Sequence, residues 1–248
     1  MYLLGNSLGL QPRRTAEYVE RELIQWQEHA AKAHFTGQHP WMPYHEFLAE
    51  PMSALVGGEP FEVVVMNSLT TNLHLMLATF FQPQGRQNKI LIEQHAFPSD
   101  HYAVASHLRH RGLVPEDSML IIEPTSDELF DTEAICRTIR DAQDELALVL
   151  LPGVQYYTGQ VIDMAEVCRL GHEAGCKVGL DLAHAIGNVP LSLHDWGSDF
   201  AAWCTYKYLN GGPGSVAGAF VHERHLHGDG TNQLTGWWGH DMATRFKM

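Results

Sequence analysis

Seven short apolar runs, spaced by stretches of helical periodicity, constrain the fold of this chain more than any other feature. They are Phe61–Met66, Lys89–Glu93, Met119–Ile122, Leu146–Leu151, Val178–Leu180, Phe200–Cys204 and Ser215–Val221. Each is too short for a globular helix and largely continuous rather than alternating, the pattern of strands covered on both faces. Between them, Thr70–Phe81, Ser99–Arg111, Thr132–Gln143 and Met164–Ala174 repeat apolar residues at helical spacing, the last closed by Gly175 as a C-cap. Strand and helix in alternation predict an α/β fold, a mostly parallel sheet with helices on both faces. Residues 1–55 depart from that pattern: Thr15–Lys32 reads as a long amphipathic helix and Gly37–Pro43 as a Pro/Trp/His loop. The expected organisation is an N-terminal arm over residues 1–55, packed on the main domain or on a partner subunit, and a large domain over residues 56–248.

With 248 residues, 45% of them hydrophobic, the chain can bury one sizeable core. A net charge of −13, spread along the sequence, argues against nucleic acid, whose binding needs a concentrated basic face. No apolar run reaches the ~20 residues that span a bilayer, and the N-terminus lacks the basic, apolar and small-residue order of an export signal. Cys136, Cys168, Cys176 and Cys204 are scattered without a Cys-x-x-Cys pair, as reduced thiols of a cytoplasmic protein would be. The chain has 16 histidines, and His222-Glu223-Arg224-His225-Leu226 looks like a metalloprotease helix, but Leu226 stands where the second ligand is needed, so no metal is expected.

In open α/β sheets ligands bind beyond the carboxyl ends of the strands. Asp181 and His184 follow the Val178–Leu180 run; Lys207, flanked by Tyr206 and Tyr208, follows Phe200–Cys204. A lysine ahead of the glycine loop Asn210-Gly211-Gly212 is, taken alone, equally a solvated charge. An acid and a lysine on neighbouring strand ends suit pyridoxal 5′-phosphate, which needs an amine for its Schiff base and a carboxylate to keep its ring nitrogen protonated. Asp181, read as buried, would be costly without such a partner. Leu69 and Thr70 follow the Phe61–Met66 run, where helix amides and a hydroxyl hold phosphate or where threonine simply caps the helix. Phe97 would stack on a ring or fill the core; Asp100 would polarise ring substituents or cap the next helix.

Several segments are more particular: Leu3-Leu4-Gly5-Asn6-Ser7-Leu8-Gly9-Leu10, Asn67-Ser68-Leu69-Thr70-Thr71-Asn72, Ala96-Phe97-Pro98-Ser99-Asp100-His101-Tyr102, Tyr157-Thr158-Gly159-Gln160, Tyr206-Lys207-Tyr208-Leu209-Asn210 and Gly236-Trp237-Trp238-Gly239-His240. In this order, over essentially the whole chain, they resemble the kynureninase family of fold-type I pyridoxal-phosphate enzymes. The resemblance implies hydrolysis of L-kynurenine or 3-hydroxykynurenine to an anthranilate and L-alanine, in tryptophan catabolism. It implies Lys207, Asp181 and Tyr206 as catalytic residues, and cofactor contacts from Leu69, Thr70, Phe97, Pro98, Ser99, Asp100, His184 and, across a homodimer with shared active sites, Trp237. Ser7 and His34 match positions that approach the amino-acid substrate. Pro152 departs from the family, where a serine can contribute to the cofactor site; proline brings neither a hydroxyl nor an N–H. The family continues past Arg245-Phe246-Lys247-Met248 into a smaller C-terminal domain that supplies the arginine for the substrate carboxylate. The chain is therefore expected to be the large domain without that companion, and a catalytically weak cofactor-binding fragment is the alternative. A cysteine desulfurase, the other alternative, needs a nucleophilic cysteine on a mobile loop, and none of the four occupies an obvious one.

Overall fold

The computed structural model describes residues 1–226, 234, 236 and 243–247. Seven strands form one sheet: β1 (Val63–Val65), β2 (Lys89–Glu93), β3 (Met119–Ile122), β4 (Leu146–Pro152), β5 (Lys177–Asp181), β6 (Phe200–Trp203) and β7 (Gly218–Val221). Their order is β1-β7-β6-β5-β4-β2-β3. β2, β3, β4, β5 and β6 run parallel; β7 is antiparallel to both β6 and β1. The mostly parallel sheet read from the sequence is what forms, with one reversed strand.

The helices are α1 (Thr15–His29), α2 (Ala49–Val56), α3 (Leu69–Phe80), α4 (Pro98–His110), α5 (Pro115–Ser118), α6 (Thr132–Asp141), α7 (Met164–Glu173) and α8 (Leu193–Trp196). Two apolar clusters account for both covered faces. Leu73, Leu77, Val104 and Leu108 of α3 and α4 pack with Ile90, Ile92, Leu148 and Phe200. Ile135, Ile139, Val167 and Leu170 of α6 and α7 pack with Leu91, Val149, Val178 and Trp203. Alternate residues of each strand thus feed opposite layers, as a pleat requires. Gly179 is needed for contact with the neighbouring strand, because a Cβ there would lie 2.1 Å from the Phe200 ring.

Some boundaries differ from those expected. β1 starts at Val63, because Pro60–Glu62 forms a 3-10 turn closed by reciprocal bonds between Glu59 and Glu62. β7 starts at Gly218, because the Thr205 hydroxyl takes the Val216 carbonyl, at 2.6 Å, out of any ladder. α1 ends at His29 and passes through Ala30, at φ 45°, into a 3-10 segment, Ala30–His34. α1 leaves Tyr18, Val19, Leu23, Ile24 and Trp26 exposed.

Candidate functional site

Three parallel strands end on the same side. β2 ends in Glu93, β4 in Pro152 and β5 in Asp181, with Pro152 and Asp181 in register. The chain leaving β6 returns as a tight loop bearing Tyr206 and Lys207. The N-termini of α3 and α4 face the same space. Together they enclose a cavity of about 140 Å³. Leu69, Thr70, Phe97, Ser99, Asp100, Asp181, His184, Tyr206 and Lys207, all singled out in the sequence, line it.

Lys207 is buried, and its Nζ lies 2.7 Å from His184 Nε2 and 5.7 Å from the centre of the Phe97 ring. Burial, and then Lys207, push His184 down to about 4, so the imidazole is neutral and its lone pair can accept from the amine. Burial raises the Tyr206 phenol to about 12 and keeps it protonated. The loop is held from behind. Gly9 N–H donates to the Tyr206 carbonyl at 2.7 Å, Gly211 N–H donates to the Thr205 carbonyl at 2.8 Å, and the Thr205 and Ser215 hydroxyls meet at 2.7 Å.

Opposite the amine is an acid group. Asp181 accepts from Ala183 N–H at 2.7 Å, and the Asp100 carboxyl is its neighbour in the cavity lining. Burial first, then the neighbouring Asp181, drives Asp100 far above the carboxylate range, and the same two causes push Glu93 up to about 8. Among the described residues, three carboxyl groups therefore share the cavity with the Lys207 side chain.

At the far end the two helix starts converge. The cap of α3 is Ser68, whose Oγ accepts from Thr71 N–H at 3.3 Å. Thr70 does not cap its helix; its hydroxyl meets that of Ser99 at 2.8 Å across the gap between α3 and α4. Two sets of unsatisfied helix amides beside two hydroxyls make an anion site. Pro98 opens α4, where its missing N–H costs no bond. Phe97 remains half exposed at the mouth, its ring perpendicular to that of Tyr156 with centroids 5.3 Å apart.

Not every expected residue is here. Ser7 lies in an N-terminal turn outside the cavity lining. His34 is exposed in its 3-10 segment, its ring edge-on to Trp41 at 5.5 Å. Trp237 lies outside the described residues. Five lining residues had no site role in the sequence reading: Ser68, Glu93, Val154, Tyr156 and Ala183. A lone charge closing the apolar run Ile90-Leu91-Ile92 was the available signal for Glu93; Tyr156, beside the quoted Tyr157, had none.

Among the described residues one metal-type group gathers, Glu62, His194 and His222, with ligand atoms within 4.8 Å of one another. The two imidazoles stack with centroids 5.0 Å apart and planes 14° from parallel, so their in-plane lone pairs cannot converge on one ion. Glu62 already accepts from the Glu59 and Glu223 amides at 2.8 and 2.7 Å. The group is a structural clamp between the turn before β1 and the segment after β7.

The aminotransferase class-V family model matches residues 1–226. The chain is 51% identical over 249 aligned residues to a kynureninase of Myxococcus xanthus, covering 100% of this chain and 58% of that one. It is likewise 51% identical to a kynureninase of Koribacter versatilis, covering 59% of it. The chain thus spans under three fifths of these curated relatives. Among solved structures, the cystine C–S lyase C-DES in complex with cysteine persulfide superposes with a TM-score of 0.74 at 20% identity, over 90% of this chain and 57% of that one. An apo cysteine desulfurase from Thermococcus onnurineus gives 0.66 at 16% identity, over 89% of this chain and 53% of that one. At these identities the likeness establishes the fold, that of the fold-type I enzymes, and no more.

Proposed function

The chain belongs to the aminotransferase class-V family, and we propose that its cavity holds pyridoxal 5′-phosphate on Lys207 and serves the hydrolysis of L-kynurenine or 3-hydroxykynurenine to an anthranilate and L-alanine. The observation that carries the cofactor reading is the polarity of the site: a buried amine between an excess of carboxyl groups and a pair of helix N-termini. A cationic ring answers the first and a phosphate the second. The 51%-identical kynureninases carry the choice of reaction.

The residues fit the group. Thr70, Ser99 and the first amides of α3 and α4 would hold the phosphate, Phe97 would cover the ring, and Asp181 would face its nitrogen. When bound, the cofactor supplies an electron sink that stabilises negative charge on carbons of the substrate. Lys207 Nζ would act as the base at the substrate α-carbon, and neutral His184 holds that nitrogen in place through the 2.7 Å contact. Tyr206, protonated at neutral pH, is a donor at the same edge. Asp181 keeps the ring end positive, and the buried surround excludes water from it. Among the described residues no arginine lines the cavity, so these residues offer no bidentate grip for the substrate carboxylate.

A sulfur-transfer reading has less support. All four cysteines are free and buried, and burial raises the Cys168 and Cys176 thiols to about 12, so none is a ready nucleophile. Reduced thiols suit a cytoplasmic enzyme, and no helix among the described residues is long and apolar enough to cross a membrane. The exposed apolar side chains of α1 support a homodimer.

Borohydride reduction of the cofactor-loaded chain, followed by peptide mapping, should place a pyridoxyl group on Lys207. A label on Lys177 or Lys89 instead would remove the cofactor reading. Anthranilate formation from kynurenine, followed by fluorescence and compared with a Lys207→Ala control, tests the reaction itself.

A further inference from the structure

One group in the cavity has no part in the roles given above. Glu93 closes β2 with only 4% of its surface exposed, beside Asp100 at 7% and Asp181 at 6%. Among the described residues no cation pairs with it. From α4 it faces Asp100, from β5 Asp181, and between β2 and β5 the strand β4 ends in Pro152, which has no N–H to offer either acid. Among the described residues the single lysine lining the cavity, Lys207, lies against His184, and that imidazole is neutral. Three ionised carboxylates buried so close together would repel one another and forfeit their hydration, so protons must offset that cost.

We infer that Glu93 is a positioning residue of this site: with Asp100 it stores protons behind Asp181, and the arrival of a cationic ring displaces one of them to solvent. The inference rests on the cofactor reading above. A positive ring nitrogen at Asp181 would cancel the repulsion that adds to burial in holding the proton on Glu93 and would supply the missing countercharge, so that the carboxyl ionises. The displacement of Glu93 far above its ordinary value agrees with this, since it is mostly protonated near pH 7 before binding. The gain for the enzyme is a ring end whose electrostatics are set by a group that never touches the ring, and a cofactor affinity that rises with pH.

The test counts protons rather than turnover. The 248-residue chain and its Glu93→Gln variant are titrated calorimetrically with 4′-deoxypyridoxine 5′-phosphate. This probe lacks the aldehyde and so takes no part in chemistry at Lys207. Comparing heats in PIPES and in imidazole, two buffers of different ionisation enthalpy, gives the protons released per site. The probe's own ionisations are common to both chains and cancel in the difference. The variant should release fewer protons than the native chain, by roughly half a proton or more per site near pH 7. Its affinity should lose most of the native pH slope, which one linked proton sets at up to about tenfold per pH unit. Equal proton release with intact binding would overturn the role of Glu93 and leave the cofactor reading standing. Failure of the native chain to bind the probe at all would remove both. Should Glu93→Gln not fold, infrared difference spectra of the native chain decide the matter. Binding should bleach a protonated-carboxyl band, and an unchanged band would overturn the inference.

Discussion

Gly9→Ala should uncouple the N-terminal segment from the lysine loop. The backbone at Gly9 is not in the left-handed region, so the substitution carries no conformational penalty; its whole effect is steric. A Cβ at this position would lie 2.3 Å from the Lys207 carbonyl oxygen and 2.8 Å from the Asn210 Cα. Both are backbone atoms of a loop fixed by the Thr205–Ser215 and Gly211–Thr205 hydrogen bonds, so neither can rotate aside. The chain must either accept the overlap, at about 1–3 kcal/mol, or lift the segment and lose the 2.7 Å bond from Gly9 to Tyr206, worth about 0.5–1.5 kcal/mol, with its contacts. The cheaper response sets the outcome, an expected loss of about 1–2 kcal/mol. At about 2–4 °C per kcal/mol for a chain of this size, the thermal midpoint should fall by about 2–8 °C. Cofactor retention should weaken with it, because the segment backs the residue before Lys207. Gly5→Ala is the control: its Cβ would meet the Tyr208 ring at 3.4 Å, an ordinary contact. Thermal unfolding and cofactor titration of the two variants side by side decide the matter. A Gly9→Ala chain with native midpoint and affinity, or an equal loss in Gly5→Ala, would refute the reasoning.

Asp181→Asn should lower turnover by about 10²–10³, the usual effect of removing one preorganised electrostatic partner, while retaining cofactor through Thr70 and Ser99; near-native turnover would show that Asp181 does not face the ring nitrogen. Asp199→Asn should cost about 3–5 kcal/mol in denaturant titration, because that buried carboxylate is bonded to Val178 N–H, His172, Lys177, Arg224 and His225. Stability without cofactor should fall as pH drops from about 6.5 towards 4, because His107 and His184 are both held down near 4 by burial and must take up protons on unfolding. The carboxyl groups act in the opposite sense: folding holds protons on Glu93 and Asp100 that the unfolded chain releases, so above about 6.5, where the histidine effect is over, stability should fall as pH rises towards 8. The Glu93→Gln chain should lose the Glu93 share of this decline in thermal midpoint, keeping the Asp100 share and the acid decline.

The alternation of strands and helices was legible because burial on both faces leaves few polar residues in a strand, and six of the seven runs lie at or within a residue or two of their observed limits. The seventh, β7, starts three residues late, where a threonine hydroxyl holds the Val216 carbonyl, and the two residues trimmed from the start of β1 belong to a proline-led turn. The order of the strands was not legible. Nothing in the composition of Gly218–Val221 says that it runs against its neighbours; that follows from the tight return after Lys207. Site residues were legible where they end a strand or start a helix, since parallel topology brings those ends together without further information. Glu93 obeys the same rule and was absorbed into its strand, because one charge after three apolar residues looks like a boundary. Ser7 and His34 came from resemblance alone, and no strand end carries either to the cavity.

The antiparallel strand also bears on how the chain is made. Val63 pairs with Phe220, so β1 leaves the ribosome early and its ladder partner late. At about 5–20 residues per second, the wait is roughly 8–30 s. Throughout it, the hydrogen-bonding edge of β1 and the apolar side of the neighbouring helix have no native cover. Nascent chains of this fold are therefore exposed to self-association until β7 emerges, and chaperone demand should peak in that interval rather than at release.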